Sequence, residues 1–372
     1  MLDIASEFPQ APDLLYLNHA AVAPWPRRTR DAVAAFAAEN VHLGARDYPR
    51  WLATEQQLRQ QLQTLIKAPD TADIALLKNT SEGLSVLACG LDWRDGDEVV
   101  ISQQEFPSNR IPWQAQARHG VVTREIDVAV ADPEQALIDA LTPRTRVLAI
   151  SSVQYGSGLR MDLPRLGQAC RQAGVLFCVD AIQSLGALPF DVQAAQADVV
   201  VADGHKWMLG PEGLALFYCH PTLREQLQLH QFGWHMVAEA GNYDTHEWTV
   251  APDAKRFECG SPNLLGTHAL SASLSLLLDV GMDDVGEALL ARTTWLDDAL
   301  RSSGKGRVLS PASPDRRAGI VTWCPDEPLA DCFQRLRAAG VVCAQRGGGI
   351  RLSPHFYTDY TVMERALALL LG

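Results

Sequence analysis

Two residues that follow neighbouring apolar segments could do chemistry together. Asp180 ends the segment at 176–180, and Lys206 stands just beyond the segment at 199–202, in the turn Asp-Gly-His-Lys-Trp. If both segments are strands of one open α/β sheet, their carboxyl ends lie at the edge where such sheets bind ligands. An amine beside a carboxylate is what pyridoxal phosphate requires, because Lys206 would form the Schiff base and Asp180 would keep the pyridine nitrogen protonated.

A structural interpretation of this pair is the alternative. A lone aspartate at a strand end is often a turn cap, and a lone lysine is usually solvated on the surface. Lys206, however, stands between a histidine and a tryptophan in a turn that contains glycine, which makes a surface role less favoured. Gln183, three residues after Asp180, could add a hydrogen bond to the 3′ oxygen of the ring.

A phosphate anchor is predicted where the apolar segment at 74–78 gives way to a helix. The sequence at 78–83 is Lys-Asn-Thr-Ser-Glu-Gly. Thr80 or Ser81 in the first helical turn offers a hydroxyl, and the free backbone N–H groups of that turn add an anion site. Taken alone, the motif predicts only a helix N-cap, and its weight comes from its agreement with the other motifs.

Other common nucleotide and metal signatures are missing from the sequence. Gly156 and Gly158 lack the third glycine of a dinucleotide fingerprint, and neither GxxxxGK[ST], HExxH nor GxSxG occurs. The eight cysteines include no CxxC pair, which argues against a zinc ribbon and against a dense disulfide framework. We therefore expect no metal site.

The composition predicts a large protein without nucleic-acid or membrane partners. The chain has 372 residues, 47% of them hydrophobic, and its 32 lysines and arginines against 44 aspartates and glutamates give a net charge of −12. Such a surface repels nucleic-acid phosphates. The most apolar stretch, at 269–278, is interrupted by serines and too short to span a bilayer. Since no secretory pattern is visible, we expect a cytoplasmic protein.

Short apolar segments alternate with helical patterns through most of the chain. Amphipathic spacing predicts helices at 27–42 and 52–66, and apolar segments between 74 and 218 predict strands. This alternation is typical of a mostly parallel sheet covered by helices on both faces. We predict an α/β fold divided into an N-terminal segment at 1–22, a large cofactor-binding domain at 23–273 and a small α/β domain at 274–372, with strands near 319–324 and 340–344.

Taken together, the motifs resemble those of the class V aminotransferase family. These fold-type I pyridoxal phosphate enzymes include cysteine desulfurases, selenocysteine lyases and isopenicillin N epimerase-like proteins. The resemblance runs nearly end to end and rests on YLNHAA at 16–21, NTSEG at 79–83, VDAIQ at 179–183, DGHKW at 203–207, FECGSPN at 257–263 and IRLSPHFY at 350–357. It implies a large domain with a mostly parallel seven-stranded sheet flanked by helices, and a smaller C-terminal α/β domain.

The resemblance also implies roles for individual residues. Arg351 matches the arginine that grips the substrate carboxylate, a task suited to a bidentate guanidinium, and its structural alternative is a surface salt bridge. The segment at 260–261 matches one that reaches the cofactor phosphate of a neighbouring subunit, so the implied enzyme is a homodimer with shared active sites and a small amino-acid substrate. The cofactor-binding residues are then Thr80, Ser81, Phe106, Asp180, Gln183, Asp203, His205, Lys206 and Ser261, and the substrate-binding residues are Arg351, Asn18, His19 and Tyr155.

Some positions depart from the pattern of the cysteine desulfurases in this family. Phe106 stands where those enzymes stack a histidine on the cofactor, and phenyl cannot transfer protons. Cys343 precedes Arg351 by eight residues, without room for the loop that carries their catalytic cysteine, so a packed core thiol is the better interpretation of it, as of Cys259. Tyr155 follows a glutamine where many relatives carry asparagine.

Three hypotheses follow for the reaction. The first is an aminotransferase that acts on a small α-amino acid through a Lys206 Schiff base. The second keeps the cofactor but changes the outcome to that of a lyase, an epimerase, or an enzyme like cysteine desulfurase or selenocysteine lyase. The third is a dimeric scaffold without catalysis, which the intact set of Lys206, Asp180, Gln183 and Arg351 disfavours.

Overall fold

A computed structural model describes the chain from Asp3 to Gly372. Met1 and Leu2, and with them the start of the expected segment at 1–22, lie outside the described residues. Within residues 3–372 the strands are β1 (Leu15–Tyr16), β2 (Ile74–Leu77), β3 (Glu98–Ser102), β4 (Val122–Ile126), β5 (Thr145–Ser151), β6 (Leu176–Asp180), β7 (Val199–Asp203), β8 (Ala215–Cys219), β9 (Gly306–Val308), β10 (Val321–Pro325), β11 (Val341–Val342), β12 (Ala344–Arg346) and β13 (Gly349–Leu352).

The helices in the same part of the chain are α1 (Ile4–Glu7), α2 (Arg27–Leu43), α3 (Tyr48–Ile66), α4 (Thr80–Gly90), α5 (Ile111–Gln114), α6 (Pro133–Asp139), α7 (Leu163–Ala173), α8 (Pro221–Arg224), α9 (Leu264–Val280), α10 (Met282–Ser303), α11 (Leu329–Ala338) and α12 (Tyr360–Leu371). The helix expected at 52–66 begins earlier, at Tyr48, with proline in its first turn, where the missing N–H costs nothing.

Seven strands form one large sheet in the order β2-β8-β7-β6-β5-β3-β4. The pairs from β7 to β4 are parallel, whereas β8 is antiparallel to both β2 and β7. The predicted mostly parallel seven-stranded sheet is therefore confirmed. Because parallel strands end at a common edge, Asp180 at the end of β6 and Asp203 at the end of β7 lie at the same edge of the sheet.

Both faces of the large sheet are buried. On β6, Phe177 and Val179 belong to one core cluster and Cys178 between them belongs to another, because successive side chains of a strand point to opposite faces. All three are fully buried. Burial of a phenylalanine or valine side chain stabilises a fold by about 1.5–3 kcal/mol, so the continuous apolar segments that predict these strands also build the core.

The start of α4 is fixed against the same edge of the sheet. Asn79 caps the helix, since its side chain accepts the Glu82 N–H at 2.9 Å. Gly83 faces β7 so closely that a Cβ there would lie 2.6 Å from Val201 Cγ1. The missing side chain lets the helix approach the strand, which brings the N-terminus of α4 next to the end of β7.

A second, four-stranded antiparallel sheet has the order β12-β13-β10-β9. Its core cluster includes Leu15 and Leu17, because β1 pairs with β11 and Asn18 bridges to Ser353. The strand expected at 340–344 is wrong in one respect: β11 and β12 belong to different sheets, and the chain changes sheet at Cys343. The division expected at 273/274 falls inside α9.

The length and apolarity of the helices bear on whether they could span a membrane. No single helix of residues 3–372 is long and apolar enough to cross a bilayer. The consecutive helices α9 and α10 reach the required length and composition only as a pair, and the pair is bent by 84° at its break.

Candidate active site

Asp180 and Lys206 lie together, buried, at the carboxyl edge of the large sheet. Their exposed fractions are 1% and 9%. Burial raises the pKa of Asp180, as do the nearby Glu105 and Asp203 charges, while Lys206 acts in the opposite direction. Burial also lowers the pKa of Lys206, with a further contribution from the Arg351 charge. A carboxylate and an amine with opposed shifts at one sheet edge form the pair that the sequence predicts.

An aromatic ring covers the lysine. Lys206 Nζ lies 5.7 Å from the centroid of the Phe106 ring. Phe106 in turn meets Tyr155 edge to face, with ring centroids 5.2 Å apart. The structure therefore places Phe106 near Lys206 and Tyr155 beside Phe106, while the stacking of Phe106 on the cofactor stays a prediction.

The predicted phosphate end forms around the start of α4. Thr80 Oγ accepts the Asp203 N–H at 3.1 Å, which ties the helix to the end of β7. Ser81 is exposed and shares a hydrogen bond of 2.9 Å with Ser108. His205 Nδ1 lies 3.0 Å from Asp203 Oδ1, yet the angle is not that of a hydrogen bond and both atoms lack a partner. Backbone N–H groups, hydroxyls and an imidazole thus meet at one helix N-terminus, which suits a phosphate.

Gln183 is occupied by contacts within the chain. Its amide donates to the Ala20 carbonyl at 3.0 Å and accepts the indole N–H of Trp207 at 2.8 Å. Only one amide N–H is then left for a ligand. Gln183 consequently joins the turn that carries Lys206 to the N-terminal segment, and its contact with the 3′ oxygen of the ring stays a prediction.

Arg351 is a buried cation without an anion. It is 3% exposed, and no carboxylate of residues 3–372 forms an ion pair with it. Its Nη1 donates to the Tyr155 carbonyl at 2.9 Å, while Nε has no partner. Burial and the neighbouring Arg346 charge lower its pKa to about 10. A buried guanidinium in this state is costly unless an anion arrives, so the alternative of a surface salt bridge is excluded and the predicted anion site is favoured.

The N-terminal residues Asn18 and His19 differ in what they offer. His19 is buried with both ring nitrogens engaged, since Nδ1 donates to the Ser353 carbonyl and Nε2 accepts from the Tyr357 hydroxyl, each at 2.8 Å. Burial lowers its pKa to about 4. His19 thus fastens the strand around Ser353 and has no nitrogen left for a substrate, whereas Asn18 keeps a buried, unpartnered Oδ1.

Ser261 lies exposed in the loop before α9. A cavity of about 560 Å³ beside it is lined by that loop and by the start of α4, Asn79 and Glu82 included. Within this chain no side-chain hydrogen bond joins Ser261 to Thr80 or Ser81, so its predicted phosphate contact, which would be made to a neighbouring subunit, stays a prediction.

Three residues before Ser261, Glu258 belongs to a buried charged cluster with Glu55 and His235, whose polar atoms lie within 4.8 Å of one another. Arg59 occupies both carboxylates, with hydrogen bonds of 2.7 Å to each Glu258 oxygen and 2.8 Å to Glu55. The cluster is therefore an ion-pair network that anchors the loop of Ser261.

Comparison with known proteins decides the family. A family model described as aminotransferase class-V matches residues 15–343. The chain belongs to the class-V aminotransferase family. This membership confirms pyridoxal phosphate as the cofactor and the expected fold, and the chain is an enzyme of that family.

Curated relatives of this class-V chain carry two kinds of name. A probable cysteine desulfurase of Streptomyces coelicolor is 28% identical over 92% of this chain and 83% of its own length. A cysteine desulfurase of Salmonella newport is 30% identical over 83% of this chain and 77% of its own length. An uncharacterized aminotransferase, YcbU, of Bacillus subtilis is 28% identical over 83% of this chain and 81% of its own length.

Solved structures add a third kind of relative. A variant of C-DES with glycine covalently linked to the PLP cofactor has a TM-score of 0.92 and 25% identity, with complete coverage of both chains. The cystine C-S lyase C-DES in complex with its reaction product cysteine persulfide has a TM-score of 0.91 and 26% identity, over 98% of this chain and 99% of that one.

The residues at the class-V site fit this cofactor. Asp203 Oδ1, His205 Nδ1, Gln154 Oε1 and Arg351 Nε are buried without a hydrogen-bond partner. Most buried polar atoms in proteins are paired. Unpaired atoms gathered around Lys206 and Asp180 indicate a site that a polar, anionic ligand completes.

Cysteines do not take part in this arrangement. Cys343 is buried between β11 and β12, and burial raises its pKa to about 12. The turn between β12 and β13 consists of Gly347 and Gly348 alone, so no loop carries a thiol ahead of Arg351. Cys259 is half-buried and faces Gln231 at 3.4 Å. These facts agree with the interpretation of both as packed thiols.

Sequence reasoning missed several residues that build the site. Glu105 is buried beside Ser151 and Gln154, and it also affects Asp180. His355 donates to the Trp207 carbonyl at 3.0 Å and so fixes the turn that carries Lys206. Glu105 precedes the stacking residue Phe106 directly, but a glutamate in a loop gives no signal of burial in the sequence.

A larger cavity than the one beside Ser261 lies elsewhere in the described chain. It measures about 830 Å³ and is lined by residues between 232 and 249, among them Phe232, Trp234, Tyr243 and Trp248. These four aromatic side chains are exposed. Lys206 does not line this cavity, so cavity size is a poor guide to the chemistry here.

Proposed function

We propose that this class-V enzyme is a pyridoxal phosphate-dependent C–S lyase that acts on cysteine-type amino acids. The observation that carries the proposal is the combination of a free, buried Arg351 with a buried Cys343. The Arg351 guanidinium can bind a substrate carboxylate, whereas the Cys343 thiol is buried and cannot accept sulfur from the substrate. Similarity over the full length to the cystine C-S lyase C-DES supports the same reaction class. The alternative to transamination is thus better supported than transamination itself.

Arg351 determines how the substrate lies. Its Nε and the second terminal nitrogen form the fork that binds a carboxylate in two parallel hydrogen bonds. With that end fixed, the Cα–H bond is oriented toward the amine of Lys206. The contact of Nη1 with the Tyr155 carbonyl keeps the fork in place before the substrate arrives.

Lys206 is the group that moves protons. When bound, pyridoxal phosphate supplies the electron sink for the pair left at Cα. Lowered pKa of the Lys206 amine, caused by burial, keeps a larger share of it neutral and able to accept the Cα proton at Nζ. The nearby histidines His19 and His355 have both ring nitrogens engaged, and Phe106 has no proton to give.

The reaction balances without an enzyme cysteine. The Cα proton passes to Lys206 Nζ, the Cβ–S bond breaks, and sulfur leaves with the electron pair as cysteine persulfide from cystine or as sulfide from cysteine. The three-carbon product released, 2-aminoacrylate, takes up one water to give pyruvate and ammonium. Neither an oxidant nor a reductant is required.

Product analysis tests the proposal. Holoenzyme incubated with L-cystine or L-cysteine is expected to form pyruvate and ammonium in equal amounts, and the Cys343→Ala variant is expected to do the same within about twofold, since a buried thiol has no part in the step. Alanine as the product would instead show desulfuration. Turnover that stops unless a 2-oxo acid is added would show transamination, and either result would refute the lyase.

We also propose that the active form is a homodimer with shared sites. Support comes from the exposed aromatic side chains at 232–249, which pack beside the loop of Ser261: His235 N–H donates to the Cys259 carbonyl. Lys206→Ala and Ser261→Asp, whose carboxylate would repel the cofactor phosphate, are each expected to be inactive alone. Mixed and allowed to exchange subunits, they are expected to recover about a quarter of wild-type activity at most, through hybrids with one intact site. Mixtures that stay inactive while exchange is shown by mass spectrometry would contradict shared sites.

A further inference from the structure

Glu105 is a buried carboxylate with no cation beside it. It lies in the loop after β3, three residues beyond Ser102, is 4% exposed, and forms no ion pair with any residue of 3–372. An isolated ionised carboxylate is costly to bury. Its hydrogen-bond partners therefore show whether the fold stabilises the ionised or the neutral form of the carboxyl group.

Four donors surround this carboxylate. The Ser151 N–H and the Gln154 amide donate to Oε1 at 2.8 and 2.9 Å, the Asn109 amide donates to Oε2 at 3.0 Å, and the Ser151 hydroxyl also binds Oε2. Three of the four are N–H groups, which cannot accept a proton. The arrangement is built for the ionised carboxylate, although burial raises its pKa.

Topology places Glu105 in a row with the cofactor carboxylate. The strands β6, β5 and β3 are neighbours in that order, and Ser151 at the end of β5 is paired with Asp180 at the end of β6. Ser152 N–H donates to the Asp180 carbonyl at 2.9 Å. The same short stretch of β5 therefore holds Glu105 on one side and Asp180 on the other.

We propose that Glu105 is a positioning residue whose buried negative charge strengthens the hold of Asp180 on the ring-nitrogen proton of the cofactor. This rests on the proposed function only in requiring that pyridoxal phosphate binds at Lys206. A second negative charge close to Asp180 destabilises the state in which the ionised Asp180 carboxylate faces an unprotonated ring nitrogen. It favours the state in which a proton lies between the carboxylate and the ring nitrogen.

The other charges around Asp180 contribute less to this effect or oppose it. Lys206 favours the bare carboxylate, and Asp203 acts in the same direction as Glu105 but more weakly. Two strand spacings, about 10 Å, separate β6 from β3, and the Glu105 carboxylate lies no farther than that from Asp180, since it accepts the Ser151 N–H of the intervening β5. At an effective dielectric constant of about 20, one charge at that distance changes a proton affinity by about one pH unit.

The experiment uses holoenzyme reconstituted with pyridoxal phosphate labelled with ¹⁵N in the ring. The ¹⁵N resonance reports whether the ring nitrogen carries a proton, which catalytic activity does not. In Glu105→Gln, which has nearly the same shape without the charge, the ring nitrogen is expected to lose its proton about one pH unit lower than in the wild type.

Two further variants separate charge from structure. Glu98→Gln removes the charge of a different buried glutamate, at the start of β3 and thus at the end of the strand away from Glu105, and is expected to leave the resonance at the wild-type position. Glu105→Asp keeps the charge with altered hydrogen bonds and is also expected to keep the wild-type titration. Should Glu105→Gln not fold, Glu105→Ala, which also removes the charge, is expected to show the same shift of about one pH unit.

The outcomes are distinct. An unchanged titration in Glu105→Gln, or an equal shift in Glu105→Asp or Glu98→Gln, would overturn the proposal while leaving the proposed function intact. Failure of the wild type to bind the labelled cofactor would refute the proposed function, and the role of Glu105 with it.

Discussion

Replacing Arg351 with methionine should make the ligand-free protein more stable and the enzyme far less active. Burial lowers the pKa of this guanidinium from 12.5 to about 10. One pKa unit corresponds to about 1.4 kcal/mol, so the charged form costs the fold about 3 kcal/mol at neutral pH. This cost is present below pH 10 and fades as the pH rises toward 12.5, because the folded state releases the proton first.

The net stabilisation follows from that cost and from one lost contact. Methionine fills a similar volume but gives up the hydrogen bond to the Tyr155 carbonyl, worth about 1 kcal/mol. A gain of about 2 kcal/mol remains. With an unfolding entropy of about 2.1 cal/mol/K per residue, a chain of 372 residues should show a Tm higher by about 3 °C.

The catalytic effect has the opposite sign. Loss of a buried, bidentate contact with the substrate carboxylate removes about 3–4 kcal/mol, which lowers kcat/KM by about 100- to 1,000-fold. Cysteamine, which lacks the carboxylate, should be turned over equally poorly by the wild type and by Arg351→Met. Calorimetry of the apoprotein and steady-state kinetics measure the two effects.

Arg346→Met is the matched control, because Arg346 lies exposed on the neighbouring strand β12 and donates only to the carbonyl of Gln345. It removes only the weaker repulsion between the exposed Arg346 and Arg351, so it should shift Tm far less than Arg351→Met and leave kcat/KM nearly unchanged. A lower Tm in Arg351→Met together with unchanged kcat/KM for cysteine would refute the reasoning, since Arg351 would then be a structural residue.

Three further predictions concern the cofactor and the N-terminal segment. Lys206→Ala should abolish the visible absorbance of the bound cofactor, whereas Lys78→Ala, an exposed lysine before α4, should keep it. Gly83→Ala should raise the Kd of the cofactor about 10- to 100-fold by pushing α4 away from Val201, and Ser85→Ala in the same helix should not; equal Kd values from a fluorescence titration would contradict this. Because the pKa of His19 is lowered to about 4, it contributes stability above pH 6.5 that is lost as the pH falls to 4, by about 3 kcal/mol, so urea unfolding of His19→Gln should depend less on pH over that range.

The sequence predicts the large sheet well because each strand is buried on both faces. A strand such as β6 is a continuous apolar segment without polar side chains on either face until its last residue. That residue, Asp180, is therefore easy to recognise as a candidate for chemistry. The small domain is harder to predict, because Val341, Val342 and Ala344 form one apolar segment in sequence and two sheets in space. Only the pairing of Val341 with Leu15, far away in the chain, and the hairpin pairing of Ala344 with Arg351 decide where the segment divides.

Site residues divide along the same line. Lys206 and Thr80 are predictable, since each is placed by its own strand or helix. What His19 does depends on Ser353 and Tyr357, more than 300 residues later, and the motif that contains it gives no indication that both ring nitrogens are engaged. Glu105 is unremarkable in sequence for the same reason, because its burial is created by β5.

The net charge of −12 and the two buried cations, Lys206 and Arg351, affect anion binding over different distances. An acidic chain repels anions at long range, but salt screens that field within about 10 Å, so the field beside Lys206 and Arg351 is set by these two groups and their neighbours. Both cations have lowered pKa values because they are buried, which means that the fold supports unfavourable charge before any ligand is present. An anionic cofactor and a carboxylate substrate relieve that charge, so part of their binding energy comes from strain already present in the folded chain. If the arginine and the lysine lay on the surface instead, the fold would be more stable, but the two side chains would bind these ligands more weakly.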